Sequence, residues 1–82
     1  MRFSIIIPAF NAEDHIRKAL DSIKQQVFTD YELIVLCDSC TDSTEGIARS
    51  YSARTEAVNY HCDGTTRSRG IDLAQGAYIL FM

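Results

Sequence analysis

Two apolar runs that do not alternate with polar residues constrain this chain most. They are Phe3-Ser4-Ile5-Ile6-Ile7 and the stretch Tyr31 to Leu36, which carries Leu33-Ile34-Val35-Leu36 without a break. A strand with one wet face alternates apolar and polar side chains, whereas a strand covered on both faces does not. Such runs require a layer above and a layer below. Two further segments read as strands: Ala57-Val58-Asn59-Tyr60-His61, the weaker one, and Ala77-Tyr78-Ile79-Leu80-Phe81-Met82. Pro8 is expected to end the first strand.

The segments between the strands supply the covering layers. Ala12, Ile16, Ala19, Leu20, Ile23 and Val27 recur at spacings of three and four, with Arg17, Lys18, Asp21 and Lys24 on the other side. This pattern predicts one helix with a single apolar stripe. Asn11 is placed to cap its start, with Asp14 three residues on. A second helix is predicted from Ser43 to Arg54, with Asp42 and Glu45 as a capping-box-like pair. A third is predicted from Thr66 to Gln75, with Ile71 and Ala74 inward and Gly76 as its stop. The order β-α-β-α-β-α-β predicts a parallel sheet with right-handed crossovers.

That topology locates a ligand before any chemistry is considered. In open α/β sheets, ligands sit outside the carboxyl ends of the strands, where helix N-termini favour anionic groups. Three turns collect there: Pro8-Ala9-Phe10-Asn11, Cys37-Asp38-Ser39-Cys40-Thr41-Asp42 and Cys62-Asp63-Gly64-Thr65. Each residue also has a plain structural reading, since Asn11 serves as a helix cap and Asp38 as a turn former. A carboxylate at a strand's carboxyl end is equally placed to accept hydrogen bonds from a base or a ribose.

Composition narrows the classes. The chain has 82 residues, a net charge of -3 and a pI near 5.1. No Lys/Arg cluster marks a nucleic-acid or anionic-lipid surface. The early apolar stretch from Phe3 to Phe10 is far short of the ~20 residues that span a bilayer, and no signal peptide is read. Three cysteines in an acidic chain suit a reducing cytosol better than a disulfide framework. The expected location is cytoplasmic. The apolar stop at Phe81-Met82 reads as a truncation, so residues 1–82 are expected to form a single, cut subdomain.

Taken together, the turns resemble family 2 glycosyltransferases of the GT-A fold. Ser4-Ile5-Ile6-Ile7-Pro8-Ala9-Phe10-Asn11-Ala12-Glu13 is similar to the family's first strand and Pro-Ala-Tyr-Asn turn, with Phe10 for Tyr. Tyr31 to Thr44 is similar to its second strand and Asp-Asp-Gly-Ser-Thr-Asp turn. Thr66-Arg67-Ser68-Arg69-Gly70-Ile71 looks like its Ala-Arg-Asn-x-Gly-Ile helix. The resemblance implies a Rossmann-like, three-layer half of a nucleotide-diphospho-sugar transferase. The substrate-binding residues it implies are Pro8, Ala9, Phe10 and Asn11 at the nucleotide pocket, Glu13 nearby, Asp38 at the base and Arg67 near the phosphates or bracing the metal-site loop. It implies a sugar nucleotide as partner and a divalent metal, Mn or Mg, for the full-length family. The metal motif, the acceptor site and the catalytic base belong to the part beyond Met82, so no catalytic or metal-binding residue is assigned within the chain. This fragment is expected to bind nucleotide and to be inactive alone.

The chain departs from that pattern at Cys37, which stands for the first Asp of the turn, and at Ser39-Cys40 in place of Gly-Ser. The Cys37-Asp38-Ser39-Cys40 spacing also fits a thioredoxin-like dithiol. Cys37, Cys40, His61 and Cys62 fit a zinc site. A third reading is a non-catalytic fragment that self-associates through an exposed apolar sheet edge.

Overall fold

The computed structural model describes residues 3–26 and 30–82, with only the backbone of Asp63. Its elements run β1 (Phe3–Ala9), α1 (Glu13–Lys24), β2 (Tyr31–Asp38), α2 (Thr44–Ser50), β3 (Arg54–Val58), α3 (Asp63–Leu73) and β4 (Tyr78–Phe81). The four strands form one parallel sheet in the order β3-β2-β1-β4. The chain moves outward from β1 to β3, then returns to place β4 on the other side of β1. That reversal puts a topological switch point between β1 and β4, the place where open α/β sheets bind ligands.

The unbroken apolar runs do what their pattern requires. On one face Ile5, Ile7, Ala9, Leu33, Val35 and Cys37 pack against Ile16, Leu20 and Ile23 of α1 and Ile47 and Ala48 of α2. On the other face Ile6, Ile34 and Leu36 pack against Leu73, with Ala74 beside them. Adjacent residues of β1 and β2 thus serve opposite layers, and the molecule has three layers. Burial of a Leu or Ile side chain contributes ~1.5–3 kcal/mol relative to exposure, so these central strands carry much of the fold. The stripe of α1 is as expected, with Arg17, Lys18, Asp21 and Lys24 exposed. Val27, assigned to that stripe, lies outside the described residues.

Several boundaries move, each for a physical reason. Pro8 does not end β1; it pairs in register with Leu36. In a parallel strand the N–H and C=O of a residue face the same neighbour. Ile6 accepts its bond from Met82 on the β4 side, so the nitrogen of Pro8 faces that side too. It lies past the last register pair there, Ile6 with Phe81, so no ladder bond is lost. The second helix stops at Ser50 rather than Arg54. Ser52 adopts a φ of 62° and donates its N–H to Arg49, while Ala53 donates to Ala48. These two bonds are a Schellman closure with serine in the left-handed position, and Arg54 is released to begin β3.

The third helix starts at Asp63, three residues earlier than its sequence pattern suggested, and turns a different face inward. Thr66, Gly70 and Leu73 are buried, while Ile71 is 47% exposed. Close approach decides this: a Cβ on Gly70 would lie 2.5 Å from Cγ2 of Ile6. Thr66 and Gly70 face the sheet where the approach is tight, Leu73 packs at the helix end, and Ile71 is turned out. Gly76 is not the helix stop, since Ala74 caps α3 in extended conformation. Gly76 instead donates its N–H to Oγ of Ser4 at 2.8 Å, and Glu32 accepts from both Ser4 and the Gln75 backbone.

Candidate functional site

The carboxyl ends of the strands frame an open cleft of about 460 Å³ lined by Pro8, Ala9, Phe10, Asp38, His61, Cys62 and Thr66. Pro8, Ala9 and Phe10 form one wall as β1 runs out, and Phe10 is 63% exposed. Asp38 closes β2, and His61, Cys62 and Thr66 come from the β3–α3 turn and the first turn of α3.

Asp38 organises that second wall. Its Oδ1 accepts the backbone N–H groups of Tyr60 at 2.8 Å and His61 at 3.0 Å. Its Oδ2 accepts the N–H of Cys62 at 3.1 Å and lies 2.9 Å from the Thr66 hydroxyl. These bonds, led by the His61 N–H, outweigh burial and hold the carboxyl far below the usual carboxylate range. Three consecutive N–H groups turned toward one anion make a small nest, filled here by the protein itself. The turn it stabilises includes His61 at a φ of 55°, a region non-glycine residues adopt seldom. Ser39, at a φ of 60°, presents its hydroxyl 2.8 Å from Oδ1 of Asn59 and 3.2 and 3.3 Å from the two ring nitrogens of His61.

Asn11 and Glu13 lie outside the cleft lining and join the first two turns. Asn11 does not cap α1; Ala12 occupies the cap position, and the N–H of Glu13 in the first turn is accepted by Oδ2 of Asp42 at 3.4 Å. Asn11, at a φ of 45°, instead accepts through Oδ1 the N–H groups of Thr41 at 2.7 Å and Asp42 at 3.3 Å. Glu13 accepts the Ser43 N–H at 3.3 Å, and Thr44 Oγ1 accepts the Ala12 N–H at 3.0 Å. The capping box expected of Asp42 and Glu45 is likewise replaced. Asp42 accepts from the N–H of Thr44 at 3.0 Å, while Glu45 pairs with Arg49 at 2.7 Å. Arg67 stands apart, its guanidinium 5.9 Å from the centre of the Phe81 ring, a cation–π spacing on the β4 side of the cleft. His61 and Thr66 fall outside the turns that the sequence places at the ligand end, whereas Cys62 opens one of them. Placing β3 too late made His61 a strand residue, and placing α3 too late hid the first helical turn.

The cysteines do not support dithiol chemistry. Burial, reinforced by Cys40, pushes the Cys37 thiol up to about 12, whereas a redox-active thiol at such a turn needs a lowered pKa. Cys40 donates to the carbonyl of Ala9 at 3.5 Å. The zinc reading also fails: among the described residues no three His, Cys, Asp or Glu side chains converge on a point that could hold a metal. The same test applies to the divalent ion implied by the resemblance, and the described residues do not supply its donor set.

Comparison with known proteins agrees with this geometry. The model of the family described as glycosyl transferase family 2 matches residues 4–82. A poly(ribitol-phosphate) beta-glucosyltransferase of Bacillus spizizenii is 38% identical over 91 aligned positions, covering 100% of this chain and 14% of that protein. Staphylococcus aureus TarS 1–349 in complex with UDP-GlcNAc superposes with a TM-score of 0.90 at 30% identity, covering 100% of this chain and 26% of that one. Mycobacterium tuberculosis glucosyl-3-phosphoglycerate synthase, in complex with Mn2+, UDP and glucosyl-3-phosphoglycerate, superposes with a TM-score of 0.83 at 31% identity, covering 99% and 32%. The chain thus spans between 14% and 32% of the length of these three proteins.

Proposed function

The chain belongs to glycosyl transferase family 2, and from that membership we propose that it forms the nucleotide-binding part of an enzyme that transfers a sugar from a nucleoside diphosphate donor to a saccharide or lipid-linked acceptor. One observation carries this reading: Pro8, Ala9, Phe10 and Asp38 line a single cleft at the carboxyl end of a sheet ordered β3-β2-β1-β4. The cleft has the volume and the mixed apolar and polar walls of a small-molecule site. Arg67 is proposed to face the phosphates, and Asn11 and Glu13 to fix the two turns that shape the cleft. A divalent metal, Mn2+ or Mg2+, is proposed for the reaction of the longer protein, with ligands outside the described residues. No described helix is long and apolar enough to cross a membrane, and a cytoplasmic location is proposed on the cysteine content.

Transfer also requires neutralisation of the departing diphosphate and a base for the acceptor hydroxyl. No residue of this chain is assigned either task, so the 82-residue chain is proposed to bind without turning over. Calorimetric titration with UDP and GDP tests this. Weak saturable binding is expected, with a Kd of about 0.1–1 mM, or roughly −4 to −5.5 kcal/mol. Absence of binding by both nucleotides would overturn the nucleotide site, and sugar transfer by the chain alone would overturn its inactivity.

A further inference from the structure

Among the described residues the sheet has two open edges, β3 and β4, and they differ in chemistry. β3 carries Arg54 and Glu56, and charges of this kind keep edge strands from pairing further. β4 reads Tyr78-Ile79-Leu80-Phe81 and is followed by Met82, with no charge. Ile71 of α3 and Ile79 to Met82 are 38% to 56% exposed. At ~150–250 Å² for a large side chain, such exposures leave an apolar surface on the order of 500 Å² per copy, or about 1,000 Å² for a pair, the size at which specific interfaces begin.

The backbone of that edge fixes how a second strand joins it. Met82 donates its N–H to Ile6, so Tyr78, Leu80 and Met82 turn their N–H and C=O groups toward β1. Ile79 and Phe81, alternating with them, turn theirs outward. Side chains alternate as well. Leu80 pairs in register with Ile5 and borders an apolar groove on the α1 side with Ile5, Ile23 and Met82. Ile79 and Phe81 stand on the α3 side, where Phe81 lies beneath Arg67. In an antiparallel pair, opposed residues whose backbone groups face each other exchange both bonds. A second copy turned about a two-fold axis at Leu80 sets Ile79 opposite the partner's Phe81, and Phe81 opposite the partner's Ile79. The outward N–H and C=O groups of both residues are then bonded. Each β-branched side chain also meets an aromatic ring, a favourable cross-strand pair. Leu80 meets the partner's Leu80 on the axis.

We infer that the β4 edge is a self-complementary interface for a second copy of this chain, paired antiparallel about Leu80 into one continuous sheet. The carboxyl ends of the two halves then point in opposite directions, and both nucleotide clefts stay open. This inference is independent of the nucleotide reading. Sedimentation equilibrium of the 82-residue chain is expected to show a dimer forming over about 10–100 µM. Ile79→Pro removes an outward N–H and leaves the ladder to β1 intact. It is expected to weaken association at least tenfold with unchanged helical circular dichroism. Register is read by diamide oxidation of cysteine variants in a Cys62→Ser background. Opposed residues at a non-bonded position have Cα atoms about 4.5 Å apart, within disulfide range, whereas diagonal neighbours lie about 7–8 Å apart. Leu80→Cys is therefore expected to cross-link into a dimer and Ile79→Cys to stay uncross-linked. If Ile79→Cys cross-links as readily as Leu80→Cys, or Ile79→Pro associates as tightly as the parent, the pairing about Leu80 is overturned. If the parent stays monomeric up to about 1 mM, the interface itself is overturned.

Discussion

Asp38 holds His61 by its backbone: the carboxylate at the end of β2 accepts the His61 N–H at 3.0 Å, across 23 residues of sequence. This bond, with those from Tyr60 and Cys62, ties the β3–α3 turn to the centre of the sheet. Its dependence on ionisation gives an acid-stability prediction. The folded pKa of Asp38 is lowered, so between the folded and unfolded values the folded chain binds fewer protons than the unfolded one. The stabilisation is complete above the unfolded value, about pH 4, and is lost as pH falls toward the folded value. Asp38→Asn should therefore melt several degrees below the parent at pH 7, and the gap should narrow as pH falls from 5 toward 2.5. A gap constant over that range would show that the charge on Asp38 does not hold the turn.

Two glycines should respond in opposite directions to alanine. A Cβ on Gly76 would meet the Phe3 carbonyl carbon and Ser4 Oγ, each at 2.7 Å, and the Ser4 nitrogen at 2.8 Å. Two of these atoms are backbone and cannot rotate away, so Gly76→Ala should cost about 1–3 kcal/mol. Gly46, within α2, has nothing within 4 Å of the same position. Gly46→Ala should stabilise by about 0.5–1 kcal/mol through helix propensity. Urea midpoints at constant m-value check both, and equal midpoints for the two variants would contradict the packing described for the α3–β4 connection.

Thiol reactivity should follow burial. Cys62 is exposed, Cys40 half-buried and Cys37 buried with a pKa near 12. With an aromatic disulfide reagent at pH 8, Cys62 should react first and Cys37 only as the chain unfolds, because the thiolate is the reacting form. Rapid labelling of all three in the native protein would contradict the buried position of Cys37 against α2.

The edge formed by β4 should associate. Ile79, Leu80, Phe81 and Met82 are between 38% and 56% exposed, and no charge interrupts them. Open apolar edges pair with other chains unless charge or cover prevents it. Light scattering after size exclusion should show a concentration-dependent dimer, and Leu80→Lys should return it to monomer. A parent chain that stays monomeric at every concentration would refute this.

Much of the fold was written in local pattern. The runs at Ile5–Ile7 and Leu33–Leu36 demanded cover on both faces, and the stripe of Ile16, Leu20 and Ile23 provided it on one. The parallel alternation also placed Pro8, Ala9, Phe10 and Asp38 at the same end of the sheet. These features depend on periodicity and chain order, which a sequence carries explicitly.

Tertiary structure decided what distance and competition control. The inward face of α3 follows from how closely Gly70 approaches Ile6, which overrides the hydrophobicity of Ile71. The backbone N–H groups that Asn11 and Asp38 accept from lie 22 to 31 residues away. An amide or carboxylate bonds to whichever donors the fold brings within about 3 Å, and sequence spacing does not encode that. Hence Asn11 reads as a helix cap but joins two turns, and Asp38, which chain order places at the ligand end of the sheet, also clamps the turn that carries His61.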